Sequence, residues 1–306
     1  MNRRTVALLI AVAALTSCSA ESVPPPAGTA PTTIASAAAE TPATGAPAAS
    51  ATAAAAGKAP SGTLPVKVRK LRLSRGADRP LPTTVWYPAT GKGPFPVIVF
   101  SHGLTARPGD YERLLTRWAG AGFVVAAPAY PHTSAGVAEF NAIDVINQPA
   151  DASHVLTKVL ALDTRAGDAL RGRLDEAHVA AAGHSAGGIT TIGMLTGDRD
   201  DRLDAAAVLA ARQVLPVPFS GPPVSVLFVH GKLDRTIRYA DGLAAFEAVP
   251  WPKAMLTIPN GGHVTTDGGD FNVVATATTD FWRWSLYGDP AAKRRLEARR
   301  NVESDL

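Results

Sequence analysis

A strand, a tight turn and a helix in immediate succession constrain the fold of this chain most strongly. Residues 178–182 are a short apolar run typical of a buried strand, residues 183–187 read GHSAG, and residues 189–195 can continue as a helix. In this G-x-S-x-G pattern Ser185 lies at the tip of a turn that strains its backbone, so the positions two before and two after it must be small. Because the chain has 27 glycines, a glycine-rich turn with a capping serine is the alternative interpretation.

Apolar runs and amphipathic segments alternate along the rest of the folded region. Residues 64–88 predict the antiparallel start of a sheet, with a bulge where the alternation slips at Lys70. The alternation as a whole predicts the α/β class, with a mostly parallel central sheet flanked by helices and chemistry at the carboxyl ends of its strands. Further strands are predicted at 96–100, 123–127, 203–209, 224–229 and 255–258, and further helices at 111–120, 151–162 and 271–286.

The first 62 residues predict export and a tether. Residues 1–18 combine two arginines, an apolar run and small residues, as in a secretory signal. Residues 15–18 resemble a bacterial lipobox, so we expect Cys18 to be lipidated and to anchor the protein at the cell membrane or cell surface. Ordinary signal cleavage and secretion are the alternative. Residues 19–62, mostly Ala, Pro, Thr, Ser and Gly, predict a disordered tether.

We expect one catalytic domain over residues 63–289, followed by a basic C-terminal helix or tail over residues 290–306. No long insertion interrupts the chain between Ser185 and Asp234, so we expect no large cap domain. A Pro- and Gly-rich segment, residues 212–223, could form the rim of a pocket.

The composition excludes several kinds of site. Basic residues cluster only near residues 293–300, where an acidic residue interrupts them, so we expect no nucleic-acid partner. The one cysteine permits neither an intrachain disulfide nor a zinc site of the usual multi-cysteine kind. The seven histidines are scattered, and none are paired at the H-x-x-x-H spacing that places two metal ligands on one helical face.

Two residues downstream of Ser185 complete a candidate catalytic set. A serine hydroxyl is a poor nucleophile near neutral pH and needs a general base, which an acid must orient. The strand predicted at 224–229 ends shortly before Asp234, and the strand predicted at 255–258 ends shortly before His263. We therefore expect Ser185 to be the nucleophile, His263 the base and Asp234 the acid.

Other interpretations of these residues remain open. Asp234 could cap the helix that begins near residue 238, and His263 could be a solvated turn residue. Asp204 is the second choice for the acid, and Asp241 and Asp267 are less well placed. The remaining histidines have other expected roles: packing for His184, a structural turn for His102, orientation of the acid loop for His230, and the pocket lining for His132.

The negative oxygen of a tetrahedral intermediate needs at least two aimed donors. The main-chain N–H of Ala186, directly after Ser185, is one candidate. The second should come from the loop after the strand that ends at Phe100, where a glycine turn offers the N–H of Leu104.

These residues resemble those of the α/β-hydrolases. The motifs at 96–103, 122–128, 183–188 and the loops of Asp234 and His263 are similar to a lid-less branch. That branch holds bacterial cutinase-like polyesterases, platelet-activating-factor acetylhydrolase-like enzymes, chlorophyllases and dienelactone-hydrolase-like proteins. The resemblance implies hydrolysis of carboxylic esters by a serine, without a metal or an organic cofactor. The chain departs from cutinase-like polyesterases, which usually have an aromatic residue at the Leu104 position and methionine at the Ala186 position.

Together these expectations describe an exported serine esterase that acts on a small-molecule or lipid-like ester and is bound to a membrane by an N-terminal lipid anchor. A polyester hydrolase and an amide-cleaving enzyme with the same residues are alternatives. A surface lipoprotein that keeps the scaffold without catalysis is the alternative from another functional class.

Overall fold

A single sheet runs through residues 57–306, the part of the chain that the computed structural model describes. Its strand order is β1-β2-β4-β3-β5-β6-β7-β8-β9. The strands are β1 (Val66–Arg75), β2 (Arg79–Pro88), β3 (Phe95–Ser101), β4 (Val124–Pro128), β5 (Leu174–His184), β6 (Leu203–Leu209), β7 (Ser225–Gly231), β8 (Lys253–Ile258) and β9 (Val302–Ser304). The α-helices are α1 (Glu112–Gly120), α2 (Gln148–Leu160), α3 (Ala186–Gly193), α4 (Tyr239–Glu247), α5 (Phe271–Tyr287) and α6 (Pro290–Glu297).

The centre of the sheet is parallel. Strands β4, β3, β5, β6, β7 and β8 pair in parallel, while β1 and β2 are antiparallel at one edge and β9 is antiparallel at the other. Every residue of β3 and β4 is buried, which explains their continuous apolar sequences. The predicted α/β class with a mostly parallel sheet is confirmed. The carboxyl ends of the parallel strands all lie on the same side of the molecule.

Helices cover both faces of the sheet. Apolar side chains of α2, α3 and α4 pack on one face, and those of α1, α5 and α6 pack on the other. On the second face Trp118 and Trp282 are fully buried and meet edge to face, with ring centroids 5.6 Å apart. No helix within residues 57–306 has both the length and the apolar character needed to cross a bilayer.

The bulge predicted at Lys70 is wrong. Strands β1 and β2 pair without interruption, from Val66 opposite Pro88 to Arg75 opposite Arg79. The apparent slip arises because Val68 is 49% exposed, while Arg69 takes the more buried side and lies 3.0 Å from Asp168 in an ion pair. An ion-paired arginine therefore takes an apolar position in the alternating pattern, while the pairing of β1 with β2 continues without a bulge.

The C-terminal residues 290–306 are an integral part of the fold. Leu296 of α6 is fully buried, and β9 pairs with β8 at the edge of the sheet. Arg295 and Arg299 each lie within 2.9 Å of a carboxylate oxygen of Asp280 on α5. Basic side chains that looked like a solvated face are therefore anchored by a buried acid. The predicted signal segment, Cys18 and the tether up to residue 56 lie outside the described residues.

Candidate active site

Ser185 occupies a sharp turn between β5 and α3. Its φ of 57° and ψ of −120° lie in a region that residues with a side chain rarely adopt. Its carbonyl oxygen accepts hydrogen bonds from Gly188 N at 2.9 Å and Ile189 N at 3.1 Å, which start the helix. The strain is therefore held by the strand before the serine and the helix after it.

The two outer glycines of the GHSAG turn have no room for a side chain. A Cβ atom on Gly183 would lie 2.0 Å from the carbonyl oxygen of Gly187. A Cβ atom on Gly187 would lie 1.9 Å from the carbonyl oxygen of Ser101 at the end of β3. Both distances are far inside van der Waals contact, so the close approach of the main chains explains the small residues at these positions.

The hydroxyl of Ser185 lies within hydrogen-bonding distance of an imidazole. Its Oγ atom is 2.8 Å from Nε2 of His263, and Nδ1 of the same ring is 2.8 Å from Oδ2 of Asp234. Because the carboxylate accepts from Nδ1–H, the neutral ring leaves Nε2 free to accept the serine proton. The three residues, far apart in sequence, thus form one hydrogen-bonded series beyond the carboxyl ends of β5, β7 and β8.

Asp234 is a buried carboxylate with several donors around it. Its Oδ1 atom accepts from the main-chain N–H groups of Thr236 at 2.8 Å and Ile237 at 3.0 Å. Nε2 of His230, which donates to the Ile237 carbonyl at 2.9 Å, lies 3.3 Å from Oδ2. Burial by itself raises the pKa of Asp234, but His230, His263 and the Ile237 N–H together outweigh it, so the pKa falls well below its usual range. The carboxylate is therefore charged at neutral pH.

The alternative acids lie elsewhere. Asp204 lies near the amino end of β6, where it accepts a hydrogen bond from the N–H of Val179 at 2.9 Å. Ser185 lies beyond the carboxyl end of the neighbouring strand β5, so the two residues are at opposite strand ends. Asp241 pairs with Arg238 at 2.8 Å, and Asp267 is largely exposed at the surface. Of these three residues and Asp234, only Asp234 contacts His263.

The two predicted oxyanion donors lie on segments next to the serine. Ala186 is the first residue of α3, and no hydrogen bond within the described residues uses its N–H or that of Leu104. The loop of Leu104 lies against the nucleophile, because a Cβ atom on Gly103 would be 3.3 Å from the Cβ of Ser185. The helix dipole at Ala186 further favours a negative oxygen there.

Two further histidines hold the loops around the serine. Nε2 of His102 is 2.9 Å from Oγ of Ser134 and 3.2 Å from the N–H of Tyr130, in line with its expected structural role. His184, expected only to pack, is also hydrogen-bonded: its Nδ1 lies 2.9 Å from the hydroxyl of Tyr111 and its Nε2 lies 2.9 Å from the carbonyl oxygen of His263. Sequence reasoning missed Tyr111 because one tyrosine at a helix start carries no spacing signal.

His132 is held on the loop after β4. Its Nδ1 lies 3.1 Å from the carbonyl oxygen of Glu139, and the ring is half-buried. The expected contribution of His132 to a pocket stays a prediction.

A narrow apolar crevice is lined in part by Ile189, which lies one helical turn beyond Ser185 on α3. The segment leading into α2 forms one wall with Val145 and Ile146, and the loop after β6 forms the other with Val214 and Leu215. The predicted rim over 212–223 thus contributes to this crevice. Leu233 and Val264 adjoin Asp234 and His263 in sequence, and each is 60% exposed.

Comparison with known proteins agrees with this architecture. A sequence model of the chlorophyllase family matches residues 54–217, more than half of the chain. The match spans the sheet from β1 to β6 with the Ser185 turn, and it ends before Asp234 and His263. No curated protein matches the chain significantly. The matched range and the parallel sheet together place this chain in the chlorophyllase family, a family of ester hydrolases within the α/β-hydrolase superfamily.

Proposed function

We propose that this protein is an exported serine hydrolase that cleaves carboxylic esters through an acyl-enzyme. The observation that carries the proposal is the unbroken series from Ser185 Oγ through His263 to Asp234, with both hydrogen bonds at 2.8 Å. A nucleophile, a base with a free nitrogen and a charged orienting acid are the three groups that acyl transfer requires.

In the first half-reaction, Ser185 Oγ forms a bond to the acyl carbon while His263 Nε2 takes the hydroxyl proton. The tetrahedral oxyanion accepts hydrogen bonds from the N–H groups of Ala186 and Leu104. When the intermediate collapses, the bond to the alcohol oxygen breaks and the imidazolium returns its proton to the leaving alcohol. Water then attacks the acyl carbon while His263 Nε2 takes a proton from it. When this second intermediate collapses, the imidazolium returns the proton to Ser185 Oγ and the carboxylic acid is released. Throughout, Asp234 keeps the ring orientation and stabilises its positive form.

The surroundings of the site favour an ester with an apolar chain. The crevice that includes Ile189, one helical turn beyond the serine, is lined mainly by aliphatic side chains, and we propose that it holds the acyl or alcohol chain. Exposed Leu233 and Val264, next to the acid and the base in sequence, add further apolar surface. A lipid-like ester suits both features.

We further propose that Cys18 is acylated and holds the enzyme at a membrane face. A surface anchor and an apolar site rim are consistent with a substrate drawn from a lipid phase. Full-length protein expressed in a bacterium and labelled with an alkynyl fatty acid should carry the label, and Cys18→Ser should lose it. Label retained on the Cys18→Ser variant would contradict the anchor without affecting the proposed chemistry.

A fluorophosphonate probe tests the catalytic proposal. We expect it to label the full chain stoichiometrically and to inhibit hydrolysis of nitrophenyl esters to the same extent. Ser185→Ala should lose both labelling and turnover, while Ser61→Ala, which removes an exposed hydroxyl from the segment before β1, should keep both. Turnover that survived in Ser185→Ala, or a wild type without turnover on any ester of the series, would overturn the proposal.

A further inference from the structure

The phenol of Tyr111 links the two loops that flank Ser185. Its oxygen lies 3.1 Å from the main-chain nitrogen of Gly103 and 2.9 Å from Nδ1 of His184. On the other side of the His184 ring, Nε2 lies 2.9 Å from the carbonyl oxygen of His263. Tyr111 and His184 are 7% and 5% exposed, so water does not compete for these contacts.

The donor of each hydrogen bond follows from the chemistry of the groups. A carbonyl oxygen can only accept, so Nε2 of His184 carries the hydrogen, and in the neutral ring Nδ1 is then the acceptor. Tyr111 must donate its hydroxyl hydrogen to Nδ1 and use a lone pair for the Gly103 N–H. Burial lowers the pKa of His184 to about 4 and raises the pKa of Tyr111 to about 12, so both groups are neutral near pH 7.

All three hydrogen bonds therefore run in one direction, from Gly103 through Tyr111 and His184 to His263. Such an aligned series is reinforced because each bond polarises the next. It also spans a long distance in the fold. Gly103 follows β3 and His263 follows β8, and three strands, β5, β6 and β7, lie between them in the sheet. His184 bridges them from the end of β5, directly before the nucleophile.

The series ends at the main chain beside the predicted oxyanion donor and at the main chain of the predicted base. Gly103 precedes Leu104, whose N–H faces the oxyanion position in the proposed mechanism. The carbonyl of His263 belongs to the base itself, and its ring lies 5.0 Å from that of His184, centroid to centroid. Loss of the hydrogen bond at the Gly103 end would therefore shift the oxyanion donor, and loss of the hydrogen bond at the His263 end would shift the base.

We infer that Tyr111 and His184 are positioning residues that set the oxyanion loop and the base against each other. The carbonyl of His263 fixes the Nε2–H tautomer of His184, and the hydroxyl of Tyr111 holds its Nδ1. This inference rests on the proposed function and extends it to two residues that touch no reacting atom. Because the geometry they set matters most in the transition state, their loss should lower kcat more than it raises KM.

Tyr111→Phe tests the inference, with Tyr287→Phe as the matched control. Tyr287 is also buried and its hydroxyl also contacts main chain, at Gly122, but it lies on α5 away from the serine. We expect kcat of Tyr111→Phe to fall by about tenfold, with KM changed by less than about twofold, the pattern of an interaction used in the transition state. Equal kcat loss in both variants would show a general packing effect and would overturn the inference.

Replacement of His184 supplies a rescue test. Glutamine can accept a hydrogen bond at Oε1 and donate one from Nε2, as neutral His184 does, whereas leucine can do neither. We expect His184→Gln to keep most of the activity and His184→Leu to lose about as much as Tyr111→Phe. If His184→Gln were as impaired as His184→Leu while both unfold like the wild type in urea, the hydrogen-bond series would not be what positions the loops.

The tautomer gives a readout that does not depend on turnover. Imidazole nitrogen NMR of the full chain should show His184 as the Nε2–H form in the wild type and in Ser185→Ala. Tyr111→Phe should keep the Nε2–H form, because the His263 carbonyl still accepts from Nε2, and should shift the Nδ1 resonance, which has lost its donor. A wild-type ring in the Nδ1–H form would overturn the inference even if the enzyme were an active serine esterase. Conversely, an inactive wild type with the expected tautomer would overturn the proposed function and leave the Tyr111–His184 linkage standing.

Discussion

The main-chain N–H of Ser185 donates a hydrogen bond to the carbonyl oxygen of Leu209 on the neighbouring strand, at 2.9 Å. Leu209 is the last residue of β6, so the sheet itself holds the serine in its left-handed conformation. The hydroxyl is consequently presented beyond the strand end by rigid elements rather than by a mobile loop. Reacting groups on such elements keep the sub-ångström geometry that catalysis requires.

The close packing under the serine predicts a severe cost for any side chain at Gly187. In Gly187→Ala the new methyl would overlap the carbonyl of Ser101, and the turn or β3 would have to move. We expect the free energy of unfolding to fall by about 3 kcal/mol or more, the range of strong overpacking and backbone strain. Urea denaturation followed by circular dichroism measures it.

Gly109→Ala is the matched control, because a Cβ atom there meets nothing within 4 Å and its backbone is not left-handed. That variant should unfold within about 0.5 kcal/mol of the wild type, as surface substitutions usually do. A Gly187→Ala variant as stable as Gly109→Ala would show that the turn is not constrained as described.

A second prediction concerns the charge on Asp234. In Asp234→Asn the amide can turn its NH₂ group toward His263 and favour the ring tautomer that cannot accept the serine proton. We expect kcat for a nitrophenyl ester to fall by about 10³- to 10⁴-fold with little change in KM. Steady-state kinetics at pH 7 provides the measurement.

Asp241→Asn serves as its comparison, since Asp241 lies on α4 and pairs with Arg238 at the surface. Its kcat should stay within about twofold of the wild type, because exposed ion pairs contribute little. If Asp234→Asn retained wild-type kcat, the acid would have to be assigned to another residue.

Much of this architecture could be predicted from local sequence signals. The strand at Leu203–Leu209 has the predicted bounds, and the other parallel strands and the closing helix lie within a few residues of their predictions. Buried parallel strands have continuous apolar sequences, and that signal is local. The order Ser185, Asp234, His263 likewise placed three residues at strand ends that the fold brings together.

What the sequence could not reveal depends on contacts between distant segments. The pairing of Arg69 with Asp168 joins residues 99 positions apart, so the pattern of β1 alone suggested a bulge that the ladder lacks. Tyr111 and His184 are 73 positions apart, and nothing in either local sequence indicates that they meet. The basic C-terminal residues looked solvated because their partner, Asp280, lies on another helix.

The crevice at Ile189 predicts a preference for longer acyl chains, which a larger side chain at this position should reduce. Ile189→Phe would narrow the crevice at the Ile189 position and exclude longer chains. We expect the kcat/KM ratio of octanoyl to butanoyl nitrophenyl esters to fall by about tenfold, the scale of one or two methylene groups in an apolar pocket. A chain-length series from acetyl to decanoyl measures the shift.

Val68→Phe is the control for that series, because Val68 is an exposed aliphatic residue on β1, far from the serine in the sheet order. Its chain-length profile should match the wild type. An unchanged profile in Ile189→Phe would mean that the chain of the substrate binds elsewhere, for instance against Leu233 and Val264.

Stability in acid should depend on a partly buried arginine. Arg79 of β2 donates from both terminal nitrogens to Asp144 at 2.9 Å, and it also binds Asp151 of α2. Burial by itself raises the pKa of Asp144, but the hydrogen bonds from Arg79 and Asn147 outweigh it and lower the pKa below its ordinary value. The same short segment carries Val145 and Ile146 of the crevice, so the ion pair also braces one wall of the site.

Because the folded-state pKa of Asp144 lies below its unfolded value of 3.8, this carboxylate contributes stability that is complete above pH 3.8 and is lost as the pH falls through the folded value. Asp144→Asn should therefore lower the free energy of unfolding by roughly 2 kcal/mol at pH 7 and lose less stability than the wild type between pH 4 and 2. Urea denaturation across that range tests it. Asp201→Asn, at a largely exposed carboxylate, should leave the free energy of unfolding at pH 7 unchanged. Parallel acid slopes for the wild type and Asp144→Asn would show that the Arg79 contact does not perturb this titration.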